Sequence, residues 1–356
     1  MKIIFDNIIF SLQKSGGISI LWQNLLLKMS ETNAFKTLFI EYPYSINNIF
    51  SRQLKIPIDK IDFRSGRILS IKRYFPPKIK CAEPFIFHSS YYRTSNSSKA
   101  INITTVHDFT YEKYFPFLKR IIHSWQKFKA IRKSDYIVCI SENTKSDLLN
   151  YIPDIDSNKI RIIYNGVSSD YCPLSQKPYP NLSNSILFIG SRVDYKNFDY
   201  TIECIQQSSF NLVICGNRLS NEEQIKLDTK LGPDRYQVVE NPDNHELNKI
   251  YNSVFCLSYP SSYEGFGIPV IEAQKAGCPV IALNKSSIPE IIGNGYPMLR
   301  DLTQAEFNRI INQFKNPDIR NKIISLGYQN SSKFSWEKMI QEYTDLYLEI
   351  SSLIKQ

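Results

Sequence analysis

The sequence predicts an α/β protein of two doubly wound domains facing each other across a cleft. Three observations predict it. The chain has 356 residues, more than the ~250–300 at which a single core usually stops growing. Short apolar runs alternate with longer stretches of helical period, the pattern of βαβ units. Pro173, Pro178 and Pro180 cluster among Ser and Asn between two such series, marking a linker at about 168–185.

In the first series the strand candidates are residues 2–5, 37–40, 85–88, 101–106, 136–140 and 161–164. In the second they are 186–189, 211–215, 237–239, 255–259 and 279–282. Most are apolar throughout, as strands buried on both faces of a parallel sheet are. A helix over 18–29 follows the first strand. Near the end, Trp336, Met339, Ile340, Tyr343, Leu346, Tyr347 and Ile350 recur at helical spacing. The expected organisation is a first domain over 1–170, a second over 171–335 and a terminal helix within 336–356.

Composition narrows the function classes. A hydrophobic fraction of 42% excludes a disordered chain. No run of about 18 apolar residues occurs, and the apolar stretch 3–10 is broken by Asp6 and Asn7, so neither a membrane span nor a signal peptide is expected and the protein is expected to be cytoplasmic. Seven scattered cysteines with no Cys-x-x-Cys pair argue against a disulfide framework and a zinc site. Charge is uneven: residues 1–170 carry 25 Lys and Arg against 14 Asp and Glu, a net of +11, and the remainder carries −2. That asymmetry points to a polyanionic partner of the first half.

Four segments carry candidate chemistry. Ser261 to Ala273 follows an apolar strand and opens a helix, the place where ligands bind in open α/β sheets. Gly265 and Gly267 let backbone amides approach an anion, and the helix start favours phosphate. Glu264 and Glu272 would lie roughly 12 Å apart if the span were helical, too far for the close carboxylate pair of a glycosidase. They either bridge the two ends of one long ligand or are solvated glutamates beside a turn. Gly190, Ser191, Arg192 and Lys196 follow another strand. The two cations offer a planar fork and a point charge to phosphate, or form a solvated basic pair. His107 and Asp108 end the strand 101–106. The His is either functional or packed, and Asp108 either orients it or caps the next helix. Gly16 and Gly17 form a turn before the helix 18–29, and His88, Tyr91 and Arg93 follow the strand 85–88.

Glu264-x7-Glu272 around Gly-Phe-Gly resembles the signature of the retaining, nucleotide-sugar-dependent glycosyltransferases of family 4, which have the GT-B fold. The Arg192/Lys196, His107 and Gly16-Gly17 segments are similar to landmarks of that family, as are Ser141-Glu142-Asn143-Thr144, Tyr164-Asn165-Gly166-Val167 and Phe334-Ser335-Trp336. The likeness extends over nearly the whole chain and includes a loose similarity to bacterial mannosyltransferases of surface polysaccharides. It implies roles residue by residue. Glu264 contacts donor-sugar hydroxyls, the amides of Gly265, Phe266 and Gly267 approach the donor, and Glu272 binds its ribose. Arg192 and Lys196 hold the diphosphate, with a spacing one residue shorter than the commoner one. His107 contacts the transferred sugar. Gly16 and Gly17 line the cleft mouth, His88, Tyr91 and Arg93 help hold the acceptor, and the final helix crosses back to the first domain. The implied partners are a nucleotide-sugar donor, GDP-mannose ahead of a UDP- or dTDP-hexose, and a saccharide or lipid-linked acceptor. No cofactor and no metal are expected.

Two motifs point elsewhere. Asp154-Ile155-Asp156 has the form of a metal-binding D-x-D but lies in a Pro/Ser/Asn loop, where a turn is expected. The cations from Lys119 to Lys133 have no nucleic-acid module around them, so no nucleic acid is expected. Residues 64–80 contain six cations and no acid, and residues 117–133 set Phe117, Leu118, Ile121, Ile122, Trp125, Phe128 and Ile131 among six more. The second segment is either an interfacial helix on an anionic membrane or a helix with its apolar face in the core and its basic face in water.

Overall fold

The computed structural model describes residues 1–66 and 68–355. The chain divides into two compact units: Met1–Gly166 together with the helix Trp336–Lys355, and Val167–Ser335. The division after Gly166 falls four residues before the boundary read from the proline cluster.

The first unit is a seven-stranded parallel sheet made from β1 (Lys2–Asp6), β2 (Lys36–Glu41), β3 (Ile61–Phe63), β4 (Phe85–Ser89), β5 (Ala100–Val106), β6 (Tyr136–Cys139) and β7 (Ile160–Ile162), in the order β3-β2-β1-β4-β5-β6-β7. The edge strand β3 escaped the sequence reading because its three residues carry only two apolar side chains around Asp62. The second unit is a five-stranded parallel sheet of β8 (Ser185–Ile189), β9 (Asn211–Gly216), β10 (Tyr236–Glu240), β11 (Cys256–Tyr259) and β12 (Val280–Ala282), in the order β10-β9-β8-β11-β12. Each sheet is therefore doubly wound. Strand order reverses between β1 and β4 in one unit and between β8 and β11 in the other, and a crevice opens at such a switch point outside the strands' carboxyl ends.

Ile3, Ile4, Phe5, Phe85, Ile86 and Phe87 are fully buried in the first unit, as are Ile186, Leu187, Leu212, Val213, Ile214 and Leu257 in the second. This is the two-sided burial that continuous apolar runs require. Cys139, Cys215 and Cys256 lie in these strands as buried thiols, and burial pushes all three up in pKa. The helix Trp336–Lys355 packs on the first sheet through Tyr343 and Tyr347, both buried. The Tyr347 hydroxyl meets Nδ1 of His88 at 2.7 Å, and that of Tyr343 meets Thr105 Oγ1 at 3.0 Å. No helix among the described residues is long and apolar enough to cross a membrane.

Candidate active site

The carboxyl ends of β8 and β11 bring two of the four segments together. Gly190 leaves β8 at φ 108°, and Gly216 lies over it so closely that a Cβ there would come within 2.8 Å of the Gly190 carbonyl oxygen. The chain then makes a single turn over Asp194–Lys196 and reaches Asn197 in the left-handed conformation, φ 52°. Asn197 ties this loop to the one after β11, its Nδ2 donating to Pro260 O at 2.7 Å and Ser262 Oγ at 2.8 Å. Ser262 N returns a bond to Tyr195 O at 2.8 Å. Held this way, the Lys196 ammonium pairs with the Glu264 carboxylate above the ring of buried Tyr259, 5.3 Å away.

A third loop fixes the backbone of Glu264. Ser286 Oγ accepts from Glu264 N at 2.9 Å, and Ser287 Oγ donates to the carbonyls of Glu264 and Phe266 at 2.9 and 2.8 Å. Phe266 is buried, edge-on to Phe334 at 5.8 Å. Gly267 (φ 107°) turns the chain into the helix Ile268–Lys275, and a Cβ there would clash with Ile288 Cδ1 at 2.8 Å. Glu272 follows in that helix. Tyr251 donates to its Oε2 at 3.1 Å, yet burial dominates and pushes its pKa from 4.5 up to about 7. Asn197, Ser286, Ser287 and Tyr251 had no signal in the sequence, because each acts on a residue far along the chain.

Arg192 differs from expectation. Its guanidinium forks onto Glu223, Nε to Oε1 at 2.6 Å and Nη2 to Oε2 at 3.0 Å, and its remaining donors reach the carbonyls of Asn217 and Arg218 at 3.1 and 3.0 Å. Glu223 also accepts from Ser220 N in the capping box of the helix Asn221–Lys230. The fork is thus directed at a carboxylate, and an incoming phosphate would have to exchange with it. Ser191 beside it is exposed.

In the first unit the sequence-selected residues lie at different depths. His107 follows β5 half-buried, and burial, against the opposing pull of Asp108, lowers its pKa to about 4, so the imidazole is neutral at pH 7. Asp108 Oδ1 accepts from Thr110 N at 2.9 Å, one residue ahead of Phe109, the N-cap of the helix Thr110–Tyr114. The corner is braced by a lysine that sequence reading passed over. Fully buried Lys127 donates to Asp108 O at 2.8 Å and to Glu112 Oε2 at 2.7 Å. Gly16, at φ 153°, precedes the helix Gly17–Glu31.

Two expectations are corrected. His88 does not face an acceptor: it is fully buried within β4, with Nδ1 on Tyr347 and Nε2 on Thr105 Oγ1 at 3.0 Å, and burial lowers its pKa to about 3. Arg93 is also interior. Its Nη1 meets Asp6 at 3.2 Å and Tyr42 OH at 2.9 Å, and Nε donates to Phe75 O at 3.1 Å. His88 lies inside β4 and Arg93 just beyond it, and both side chains turn into the interior, so nearness to a strand end did not place them at the surface. Tyr91 lies between them, half-buried, its hydroxyl pushed up to about 12 by burial.

Residues 175–330 match the family described as glycosyl transferases group 1, and residues 49–171 match glycosyltransferase family 4. Between them the two matches account for most of the chain. The first unit thus matches family 4 and the second matches group 1. The fold is GT-B: Anabaena HepE, solved with UDP and glucose, superimposes with a TM-score of 0.74 over 98% of this chain and all of its own at 14% identity. Sucrose-phosphate synthase from Thermosynechococcus elongatus gives 0.75 over 99% and 100% at 16% identity. Among curated relatives, an uncharacterized glycosyltransferase of Methanocaldococcus jannaschii is 28% identical over 66% of this chain and 65% of its own length. The O-antigen chain mannosyltransferase RfbU of Salmonella typhimurium is 29% identical over 54% of each. The chain thus spans less than two thirds of either relative. O-antigen chain mannosyltransferase B of Escherichia coli is 24% identical over 74% of each chain.

Proposed function

We propose that this glycosyltransferase moves a hexose, mannose from GDP-mannose in first place, from a nucleotide sugar to a saccharide or lipid-linked saccharide in surface polysaccharide synthesis, with retention of configuration and without a metal ion. The contact between Lys196 and Glu264 at the second unit's switch point carries the reading. A cation for the leaving diphosphate and a carboxylate for the sugar stand side by side where nucleotides bind in doubly wound sheets. Mannose is favoured by the O-antigen mannosyltransferases among the relatives.

In this reading the two charges neutralise each other until the donor arrives. The diphosphate draws Lys196 to itself and releases Glu264 for the sugar hydroxyls. The amides of Gly265, Phe266 and Gly267 and the start of the helix Ile268–Lys275 add donors toward the phosphate. As negative charge grows on the leaving diphosphate, a preorganised ammonium stabilises the transition state more than the ground state. Glu272, deeper in the same helix, takes the ribose. His107, uncharged, serves as a neutral hydrogen-bonding group for the sugar, and the acceptor hydroxyl attacks from the face the leaving group departs.

The test is product analysis with labelled GDP-mannose, UDP-glucose and dTDP-hexose, reading the anomeric configuration of the new bond. Glu264→Gln keeps the shape but removes a charged acceptor worth roughly 1.5–3 kcal/mol, so kcat/KM should fall by about 10- to 150-fold. EDTA should leave wild-type turnover unchanged. Near-normal activity of Glu264→Gln removes that residue from the site, an inverted product overturns retention, and a strict Mn²⁺ or Mg²⁺ requirement overturns the role given to Lys196.

A further inference from the structure

The helix Phe117–Lys133 buries a largely polar face and exposes an apolar one. His123, Gln126, Lys127, Ala130 and Ile131 are buried and hold it to the first unit. Phe117, Leu118, Ile121, Ile122 and Trp125 are 48–73% exposed. At about 100° per residue the exposed five form one stripe, roughly opposite the buried face. The apolar stripe that sequence alone could have assigned to the core therefore lies in solvent. A large apolar patch left in water marks an interaction surface.

Cations surround it. Lys119, Arg120 and Lys129 are exposed on the same helix, which contains no acidic residue. Arg120 lies over the Phe117 ring at 5.7 Å, and Lys129 Nζ over the Trp125 ring at 4.7 Å. The neighbouring segment repeats the composition. Ile68, Ile71 and Phe75 are exposed beside Lys72, Lys78 and Lys80, and Gln126 Nε2 joins the two segments by donating to Arg73 O at 2.7 Å. A pocket opens at the seam, lined by Phe75, Pro76, Trp125, Gln126 and Lys129 among others. In the second unit the exposed large apolar residues, Leu174, Val193, Ile225 and Ile319, are scattered in sequence.

We infer that this face docks on an anionic lipid bilayer, its apolar side chains entering the headgroup boundary and its lysines and arginines meeting lipid phosphates. Charge complementarity selects that occupant. Apolar and cationic groups interleaved without acids match an interface that is apolar inside and negative outside, whereas a second copy of the chain would bring the same cations against these. The inference does not depend on which sugar is transferred.

The full-length protein is sedimented with vesicles of phosphatidylcholine alone and of phosphatidylcholine with about 30% phosphatidylglycerol, enough for a negative surface potential. Binding is expected only to the anionic vesicles, and it should fade in about 1 M NaCl, where the Debye length is ~3 Å. Trp22 and Trp336 are buried, so a blue shift of tryptophan emission on binding reports Trp125. The double variant Leu118→Ser, Ile121→Ser alters only exposed side chains. It should keep the wild-type melting temperature and lose about tenfold or more in vesicle affinity, because its two apolar side chains no longer leave water on docking. Equal, negligible binding to both vesicles overturns the inference, as does binding that the double variant leaves intact. A dimer in sedimentation velocity that the double variant dissociates, with no vesicle binding, overturns it in favour of a second copy.

Discussion

The two units place charged groups at equivalent points of the same topology and treat them oppositely. At the β1/β4 switch point the Asp6–Arg93 pair is interior, with side chains 0% and 4% exposed, and Ser89 and Tyr42 satisfy it further. Beside it Trp22 donates to Asn7, which donates to Glu41. At the β8/β11 switch point the Lys196–Glu264 pair is 14% and 13% exposed and joins two loops that other side chains hold in place. The first arrangement is a closed polar core that fixes strand ends. The second keeps its charges at the rim, where a ligand can replace one partner by another. A doubly wound sheet thus supplies the location, and whether polar groups there are structural or functional depends on how far they sink below the strand ends.

Deleting one charge from each pair should expose this difference most strongly. Arg93→Ala leaves Asp6 buried and unpaired, which costs about 3–5 kcal/mol. Lys196→Ala leaves Glu264 partly exposed to water and should cost less, about 1–3 kcal/mol, while weakening binding of the free nucleoside diphosphate. Thermal unfolding and calorimetric titration measure both. A Lys196→Ala variant destabilised as much as Arg93→Ala would make the two pairs equivalent and remove the contrast.

Each unit also holds a carboxyl that burial pushes from 4.5 up to about 7, Glu41 in the first and Glu272 in the second. Between these values the unfolded chain has released the proton and the folded one retains it. Stability is therefore full below about pH 4.5, falls as pH rises, and levels off above about 7, by up to ~3 kcal/mol per group. Glu41→Gln should flatten that slope for the first unit alone, and Glu272→Gln for the second. Urea titrations across pH 4–8 check this, and a slope unchanged by either substitution contradicts the assignment.

The smallest effect concerns Arg192. Glu223→Gln weakens the bidentate hold on its guanidinium, so the fork becomes easier for phosphate to capture. Affinity for nucleoside diphosphate should rise by about two- to tenfold, up to the ~1.4 kcal/mol that tenfold represents, and Arg192→Ala should abolish the gain. Unchanged affinity in Glu223→Gln means that Arg192 is a strut for the loop at Asn217 and Arg218 and takes no part in donor binding.

The sequence alone determined the class and the frame. Runs such as Ile186 to Ile189 and Leu212 to Cys215 are apolar on both faces, which only a covered parallel sheet accommodates, and the glycines at 190 and 267 mark turns whose backbone angles exclude most side chains. The Glu264-x7-Glu272 and Arg192/Lys196 spacings were legible because each lies within one loop and helix. Direction and depth were not. His88 and Arg93 lie near a strand end as His107 does, but their surroundings come from Tyr347, 259 residues later, and from Asp6, 87 residues earlier. Helical periodicity located the stripe from Phe117 to Trp125 without saying which face met the core. That choice belongs to tertiary packing: Gln126 and Lys127 could be buried because the carbonyls of Arg73 and Tyr92 accept from Gln126 Nε2, and Glu112 and the Asp108 carbonyl accept from Lys127 Nζ, and the apolar stripe was left outside.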